Sequence, residues 1–396
     1  MGTQIGVSYS QNRNTRKAAR EAAEGALAQA GIERPDFAIV FMTVGHDPEK
    51  LLPVIREVIG DAPLTGSSVG GCIAPGFADE SAYCVEVTVI ASDELRFDHA
   101  RVANSADDPH AAGRELGQAL KPHVGEDAVA MLVFADAFTL NYTALTAGLD
   151  ETLGCERFIP RFGGGSSNDV QSTRTFQFHD DEIYEQGAVV TLISSSGPVL
   201  STVTHGCYPL SLRQTVTRAD KNWILELDGK PALDVISSYV TEEESQNWLM
   251  AVNNLCLGLE VPEPLAGEYD KLCIRYMVGR DPDAKSVMIQ TEVEEGESIW
   301  SARRESDKIF ADAERAVASL REQIGDRTPK LMLQFECLGR GRFLFSESVK
   351  LDLVERTQRA APAGVPWLGA YVSGEIAPIG QTDMFHNYTA VVIALL

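Results

Sequence analysis

Three short runs of apolar residues stand out along the chain, and they predict buried strands. A continuous run of this length is typical of a strand that is covered on both faces. Each run follows a segment that has apolar residues at helical spacing. The predicted strands are residues 37–41, 129–134 and 331–335, and the helices before them are residues 15–30, 111–120 and 308–323.

A second helix, a turn and a closing strand follow each of these strands. The pair Asp47-Pro48 indicates one helix start, with the Asp as cap and the Pro in the first turn. Each turn has the pattern Pro-x-x-Gly. The second helices are residues 51–59, 142–153 and 346–360, the turns are 63–66, 160–163 and 366–369, and the closing strands are 85–90, 188–193 and 390–395.

The first and third turns continue as two related segments, residues 63–75 and 366–378. These segments align without a gap and share two prolines, two glycines and three aliphatic residues. Because the same elements recur in the same order, they indicate repeated strand–helix–strand units. Alternating strands and helices predict an α/β protein with mixed, largely parallel sheets.

The chain length of 396 residues predicts two domains. A segment from about 199 to 283 does not follow the repeat. Within it, residues 215–233 predict two strands, a turn at Asp228-Gly229 and the start of a helix. We therefore expect a boundary near residue 200, with domains at 1–200 and 201–396.

The composition narrows the possible functions and the cellular location. A net charge of −23 argues against a nucleic-acid-binding protein and disfavours anionic membranes. The chain lacks an apolar segment of the roughly 20 residues that a membrane helix needs, and its first 20 residues lack a signal-peptide core. The seven cysteines include no C-x-x-C pair, which favours reduced and buried thiols. We expect a cytoplasmic protein.

The middle turn carries consecutive glycines that could contact a ligand. Gly164, Gly165 and Ser166 lie in the run 163–168, where backbone N–H groups could face an anion or a carboxylate. A tight strand-to-strand turn explains the same glycines, so both interpretations stay open. No phosphate-binding loop with a lysine occurs in the sequence.

Two arginines follow the third predicted strand at the end where α/β sheets bind ligands. Arg340 and Arg342 could hold a carboxylate, and Glu375 could bind the opposite end of an amino acid. The alternative is a structural pair between an arginine and the glutamate on neighbouring loops.

Residues 66–70 match G-x-S-x-G, which would make Ser68 a hydrolase nucleophile. That motif needs a helix directly after the serine, but residues 73–76 read Ile-Ala-Pro-Gly and disfavour one. The third copy also has Tyr371 at the corresponding position. We therefore expect a structural turn and a protein that is not an enzyme.

Several stretches resemble the FIST family of sensory domains over nearly the whole chain. In the second half they are His205-Gly206, residues 215–217 and 225–232, then 337–341, Gly374-Glu375 and 386–389. Residues 255–258 depart from the family pattern. The resemblance implies an N-terminal and a C-terminal FIST half, an amino-acid-like ligand and a signalling partner such as a histidine kinase. It also adds Asn387 to the candidate ligand-binding residues.

A subset of stand-alone FIST proteins resembles haem-binding nitric-oxide sensors, and this implies non-covalent haem b as a possible cofactor. The axial ligand would then be His205 or His386. The histidines at 46, 99, 110 and 123 lie in polar contexts and are expected in solvent. No histidine and carboxylate cluster has metal-ligand spacing along the sequence.

Overall fold

The computed structural model describes residues 2–155, 157–168, 174–261, 263, 265 and 272–396. The protein is mixed α/β, as the sequence predicts. Three segments, at residues 4–91, 95–195 and 199–395, form three six-stranded sheets, and an insert within the third segment adds a fourth sheet. Among the described residues, no helix is both long enough and apolar enough to cross a membrane.

The first segment begins with an edge strand and ends with the predicted closing strand. Asn14 caps the alanine-rich helix, and Asp47 caps the second helix by accepting a hydrogen bond from the N–H of Glu49. Its elements are β1 Gln4–Ser10, α1 Thr15–Ala30, β2 Phe37–Met42, α2 Pro48–Ile59, β3 Leu64–Ser68, β4 Gly71–Ala74, β5 Phe77–Asp79 and β6 Val85–Ala91.

The second segment has the same order of elements. Asp108 and Asn141 cap its two helices through their side-chain oxygens. A short 3-10 helix, Lys121–His123, follows the first helix. The elements are β7 Leu95–Val102, α3 Pro109–Leu120, β8 Ala128–Asp136, α4 Tyr142–Leu153, β9 Arg161–Ser166, β10 Gln177–His179, β11 Glu182–Tyr184 and β12 Ala188–Ser195.

The third segment starts with β13 Val199–Thr204 and then leaves its sheet for the insert. The insert, residues 207–304, holds the two strands, turn and helix start predicted at 215–233. Its elements are β14 Cys207–Pro209, β15 Gln214–Asp220, β16 Trp223–Leu227, β17 Lys230–Pro231, α5 Ala232–Ser237, α6 Glu242–Ser245, α7 Trp248–Asn254, β18 Leu255–Glu260, β19 Leu272–Arg275, β20 Met277–Asp281, β21 Ser286–Ile289 and β22 Ser298–Arg304.

After the insert, the third segment resumes the order seen in the other two. A 3-10 helix, Leu338–Arg340, follows its central strand directly. The elements are α8 Ser306–Ile324, β23 Leu331–Cys337, α9 Glu347–Gln358, β24 Trp367–Val372, β25 Glu375–Ile379, β26 Thr382–His386 and β27 Ala390–Leu395.

The three six-stranded sheets have the same strand order and the same strand directions. Their orders are β1-β6-β2-β3-β10-β11, β7-β12-β8-β9-β25-β26 and β13-β27-β23-β24-β4-β5. In each sheet the first four strands come from one segment, and the last two form a hairpin from another segment. Strand pairing therefore crosses the predicted boundary near residue 200 in both directions.

The prediction of largely parallel sheets is wrong. Within the described chain, each six-stranded sheet contains one parallel pair, namely β2–β3, β8–β9 or β23–β24, and the insert sheet is antiparallel. The helix between the two strands of each pair provides the crossover that parallel pairing needs. The closing strand, however, inserts between the first and second strands of its segment, so the pairs on both sides of it are antiparallel.

Three backbone hydrogen bonds join the segments where the parallel pairs end. The N–H of Gly70 donates to the carbonyl of Tyr371 at 2.8 Å, Ser167 donates to Ser68 at 3.0 Å, and Ser373 donates to Gly165 at 3.0 Å. Each segment thus donates to one neighbour and accepts from the other. We call these three bonds the closing ring, because they connect the segments in a closed cycle.

At two positions of the predicted turns, the backbone of a neighbouring strand lies so close that only glycine fits. Gly66 has φ +153°, and a Cβ there would overlap the carbonyl oxygen of Val40 on the paired strand. Gly163 has φ +132°, and its Cβ would overlap the carbonyl oxygen of Val133 in the same way. These glycines let each outer strand lie against its central strand.

Three phenylalanines, one from each central strand, meet in the core between the sheets. The ring of Phe134 lies 5.3 Å from that of Phe41 and 5.8 Å from that of Phe335, in edge-to-face orientations. All three are at most 1% exposed. This contact joins the hydrophobic faces of the three sheets in one core.

We expect Phe134→Ala to lower the free energy of unfolding by about 3–5 kcal/mol, because it leaves a cavity between the other two rings. Phe138→Ala is the matched control, since Phe138 is 59% exposed, and it should change that free energy by less than about 0.5 kcal/mol. Urea unfolding followed by circular dichroism measures both. Equal effects of the two substitutions would contradict a shared core.

Candidate functional site

A cavity of 140 Å³ lies at the end of β23, between the third segment and the insert. The third segment supplies the end of the strand, the 3-10 helix after it and the β24–β25 turn, while α7 and the insert sheet supply the opposite wall. The ends of parallel strands are the usual ligand position in α/β proteins. The lining residues are Leu249, Asn253, Tyr276, Gln290, Cys337, Leu338, Gly339, Phe343, Ser373, Gly374, Asn387 and Tyr388.

Side chains of the third segment bind the insert beside this cavity. The Asn387 side-chain oxygen accepts a hydrogen bond from the N–H of Tyr276 at 2.9 Å, and its amide donates to Gln290. The Tyr388 hydroxyl donates to the carbonyl of Val252, and Arg304 stacks 3.9 Å from the Tyr388 ring. The predicted residue Asn387 therefore lies at the cavity and also fixes its wall.

Glu375 follows the cavity residue Gly374 and is fully buried. Its Oε2 accepts hydrogen bonds from the N–H and the hydroxyl of Thr389, at 3.1 and 2.7 Å. Burial raises the pKa of Glu375 to about 8, although the bonds from Thr389 and the Cys337 thiol oppose that rise. At neutral pH this carboxyl is mostly protonated and can donate a hydrogen bond.

Arg340 is also buried, but its guanidinium group is paired with other groups of the protein. Its Nε donates to Glu336 Oε2 at 2.8 Å, and its Nη1 donates to the carbonyl of His205 at 3.2 Å. A structural pair therefore exists, with Glu336 in place of the expected Glu375. The charge of Glu336 acts on both residues and raises the pKa of Arg340 and of Glu375.

Arg342 lies apart from Arg340 and is exposed. Its backbone N–H donates to Glu80 Oε2 at 2.6 Å, and its Nη1 donates to the Glu80 carbonyl at 3.0 Å. Lys350 lies 3.1 Å from the same carboxylate. The structure therefore does not bring the two arginines together around one ligand.

The glycines of the middle turn are engaged in backbone contacts. The N–H of Gly165 donates to the carbonyl of Gly374 at 3.0 Å, and a Cβ on Gly164 would lie 2.6 Å from Val372 Cγ2. Ser166 is buried, and its hydroxyl has no hydrogen-bond partner among the described residues. The geometry favours the tight turn between strands over exposed N–H groups.

The two histidines considered for haem do not fit an iron ligand. The His386 ring is fully buried, its Nε2 lies 3.0 Å from the carbonyl of Ala377 and its Nδ1 lies 3.7 Å from the Cys273 sulfur, so both ring nitrogens face protein atoms. The Nδ1 of His205 accepts a hydrogen bond from the N–H of Cys207 at 2.8 Å. The cavity next to this region is also smaller than the roughly 300–1,000 Å³ of common cofactor sites.

Ser68 lacks the surroundings of a hydrolase nucleophile. Its Oγ accepts a hydrogen bond from the N–H of Phe176 at 2.9 Å, and strand β4 follows it instead of a helix. Ser68 lines a separate cavity of 550 Å³ at the same end of the first segment. His46 also lines that cavity and is 4% exposed, so the prediction that it lies in solvent is wrong.

Sequence reasoning missed the wall that the insert contributes, namely Leu249, Asn253, Tyr276 and Gln290. Two of these residues lie on α7, one lies between β19 and β20, and one follows β21, and no motif or periodicity links them to residues 337–388. Six of the seven cysteines are buried, as expected, and one of them, Cys337, lines the cavity.

Comparison with known proteins gives matches along most of the chain. The model of the FIST N domain matches residues 36–230, and the model of the FIST C domain matches residues 232–378. An uncharacterized protein of Mycobacterium tuberculosis (strain ATCC 25618 / H37Rv) is 25% identical over 390 residues, which is 98% of each chain. An uncharacterized protein of Mycobacterium bovis (strain ATCC BAA-935 / AF2122/97) is 25% identical over 394 residues, 98% of this chain and 97% of that protein.

Similarity to solved structures is weaker. A chorismatase aligns with 100% of this chain and 99% of its own, at a TM-score of 0.38 and 10% identity. A cyanuric acid hydrolase from A. caulinodans aligns with 49% of this chain and 71% of its own, at a TM-score of 0.28 and 13% identity. Neither likeness supports an argument about this chain.

The buried carboxyl of Glu375 leads to a prediction about how the free energy of unfolding depends on pH. Between its ordinary pKa of 4.5 and about 8, the unfolded chain loses this proton while the folded chain keeps it. The contribution of this carboxyl to the free energy of unfolding is therefore fully present at low pH. It falls as pH rises, by at most about 1.4 kcal/mol per pH unit.

We expect Glu375→Gln to remove this dependence, because the amide keeps an acceptor for Thr389 but does not ionise. The free energy of unfolding of wild type minus that of E375Q should fall from pH 5 to pH 8 in urea titrations. Glu355→Gln, at an exposed position, is the control and should give a constant difference. A constant difference for E375Q as well would refute the buried, protonated carboxyl.

Proposed function

The chain belongs to the FIST family, whose domains are sensory domains of signal transduction, and we propose that it is a non-enzymatic sensor of a small molecule. The observation that supports this proposal is the position of the cavity. It lies between the third segment, which is fixed by the closing ring, and the insert. A ligand there contacts two parts of the protein at once.

The lining of the cavity suggests the class of ligand. Asn387 and Gln290 present side-chain amides, and Leu249 and Phe343 present apolar surface. This mixture suits a small molecule with an apolar part and a polar end group, such as an amino acid or a related compound. Glu375, next to the lining residue Gly374, is mostly protonated at neutral pH and therefore adds little negative charge beside the cavity.

The signal would arise from a change in how the insert rests on the third segment. The contact between Asn387 and Tyr276 crosses this boundary, so a ligand that competes for Asn387 or Gln290 changes the same contact. We propose that a cytoplasmic signalling protein, such as a histidine kinase, detects this change. The ligand would bind one arrangement of the insert on the third segment more tightly than the other, and this difference in affinity supplies the free energy for the change.

We also propose that the three segments are copies of one repeated unit. Three copies of one strand–helix–strand unit, of which the third acquired the insert, account for the shared strand order of the sheets. On this interpretation, the strand ends of the first copy still line an open cavity at Ser68, and the strand ends of the third copy form the sensing site.

We expect an amino-acid-like ligand to raise the thermal midpoint of the full chain in a thermal-shift screen, because binding to the folded state stabilises it. Ser373→Leu should abolish that shift, since it places a larger side chain in the cavity and leaves the N–H of the closing ring in place.

Ser237→Leu is the matched control, because Ser237 is exposed on α5 and lies outside the cavity lining. It should keep the full ligand-induced shift. The proposal fails if the screen finds no stabilising ligand, or if S373L, folded by circular dichroism, responds to the ligand as wild type does.

A further inference from the structure

Two histidines that are far apart in sequence meet outside the sensing cavity. His99 lies on edge strand β7 of the second sheet, and His179 ends β10, which belongs to the first sheet. Their ring centroids are 4.2 Å apart in an edge-to-face arrangement. Their side chains are 8% and 18% exposed, so the expectation that His99 lies in solvent is wrong.

Asp180, in the turn between β10 and β11, completes this cluster. Its N–H donates to the carbonyl of Leu64 at 2.8 Å, and its Oδ1 accepts from the Leu64 N–H at 3.1 Å. These two bonds hold the residue at φ +53°, a backbone conformation that aspartate tolerates. The other oxygen, Oδ2, lies 3.2 Å from His99 Nε2 and 3.7 Å from His179 Nδ1.

We propose that His99, His179 and Asp180 bind a divalent transition-metal ion of the zinc class. One ligand atom from each residue lies within 4.8 Å of the other two. Neighbouring ligands of a tetrahedral zinc ion, with bonds of about 2.0–2.2 Å, are separated by roughly 3.3–3.6 Å. Two imidazoles and one carboxylate form a common donor set for zinc and for non-haem iron, and they leave a position for water.

The surroundings of the cluster resemble the supporting shell of a metal site. The His179 ring forms a hydrogen bond with the backbone of His99, which fixes its orientation. The Phe37 ring packs 5.7 Å from that of His99. Backbone hydrogen bonds and packed neighbouring residues are the kinds of contact that orient histidine ligands at metal sites.

Two arginines lie near the cluster, and each of them pairs with a carboxylate outside it. Arg56 lies 3.5 Å from Asp180 Oδ1, on the side away from the histidines, and its Nε lies 2.7 Å from Asp181. Arg101 lies 3.6 Å from Glu182. These partners reduce the repulsion between the arginines and a bound cation, and Oδ2 stays directed at the histidines.

A metal ion at this position would join two neighbouring sheets. His99 belongs to the second sheet, while His179 and Asp180 belong to the hairpin that completes the first. The ion would thus reinforce the exchange of hairpins between segments, at a place distinct from the sensing cavity. Zinc should therefore raise the thermal midpoint of the full chain.

The test uses the full chain after EDTA treatment and dialysis, with Zn²⁺ in equilibrium dialysis and Co²⁺ as a spectroscopic probe. We expect one ion per chain and a cobalt spectrum without a thiolate charge-transfer band. Asp180→Asn should weaken Zn²⁺ binding at least about 100-fold, more than the 10–100-fold cost of losing a supporting residue. Its amide oxygen keeps the acceptor for Leu64, so the hairpin should stay folded.

His179→Gln should weaken binding to a similar extent. His110→Gln is the matched control, because His110 lies 3.2 Å from Glu151 and belongs to no metal-binding group found among the described residues, and it should leave binding unchanged. The proposal is overturned if wild type binds neither ion, in which case the cluster is a hydrogen-bond network only. It is equally overturned if D180N and H179Q, both folded by circular dichroism, bind Zn²⁺ like wild type.

Discussion

The closing ring is the constraint on which the rest of the structure depends. Each of its three N–H groups lies four residues after the glycine that ends a Pro-x-x-Gly turn, and each accepting carbonyl lies two residues after such a glycine. The bonds run in one direction around the cycle, and each segment supplies its hairpin to the sheet of the segment that accepts its hydrogen bond. No six-stranded sheet is complete without a strand pair from another segment.

This constraint also places the two cavities described above. The ring fixes the ends of the parallel strands, and those ends differ between segments. The first carries Ser68 and His46 beside a cavity of 550 Å³, whereas the third is covered by the insert and has a cavity of 140 Å³. The strand ends joined by the ring form one wall of the smaller cavity, and the insert forms the other wall.

Local features of the fold could be predicted from the sequence because they depend on neighbouring residues. Helices 15–30 and 142–153 match α1 and α4 at both ends, since apolar spacing and caps act within a few turns. The half-buried edge strand β13 gave no clear pattern. The exchange of hairpins pairs residues 71–73 with 369–371, and no local pattern reports contacts across such distances.

The site was predictable only in part, for the same reason. Asn387 was identified by resemblance and lies at the cavity, but the partner of Arg340 is Glu336, four residues earlier on β23. The cluster of His99 and His179 depends on two strands that belong to different sheets. Partners of buried charges follow from the tertiary fold, and residue types alone do not determine them.

Hydrogen exchange of the full chain, resolved to single amides, tests the central claim of a fixed ring under a separately moving insert. The account predicts that the amides of Gly70, Ser167 and Ser373 exchange only through global unfolding. The amide of Tyr276, which donates to Asn387 across the boundary, should exchange through an opening of lower free energy. Exchange of any ring amide by local opening, or of Tyr276 only by global unfolding, would contradict the account.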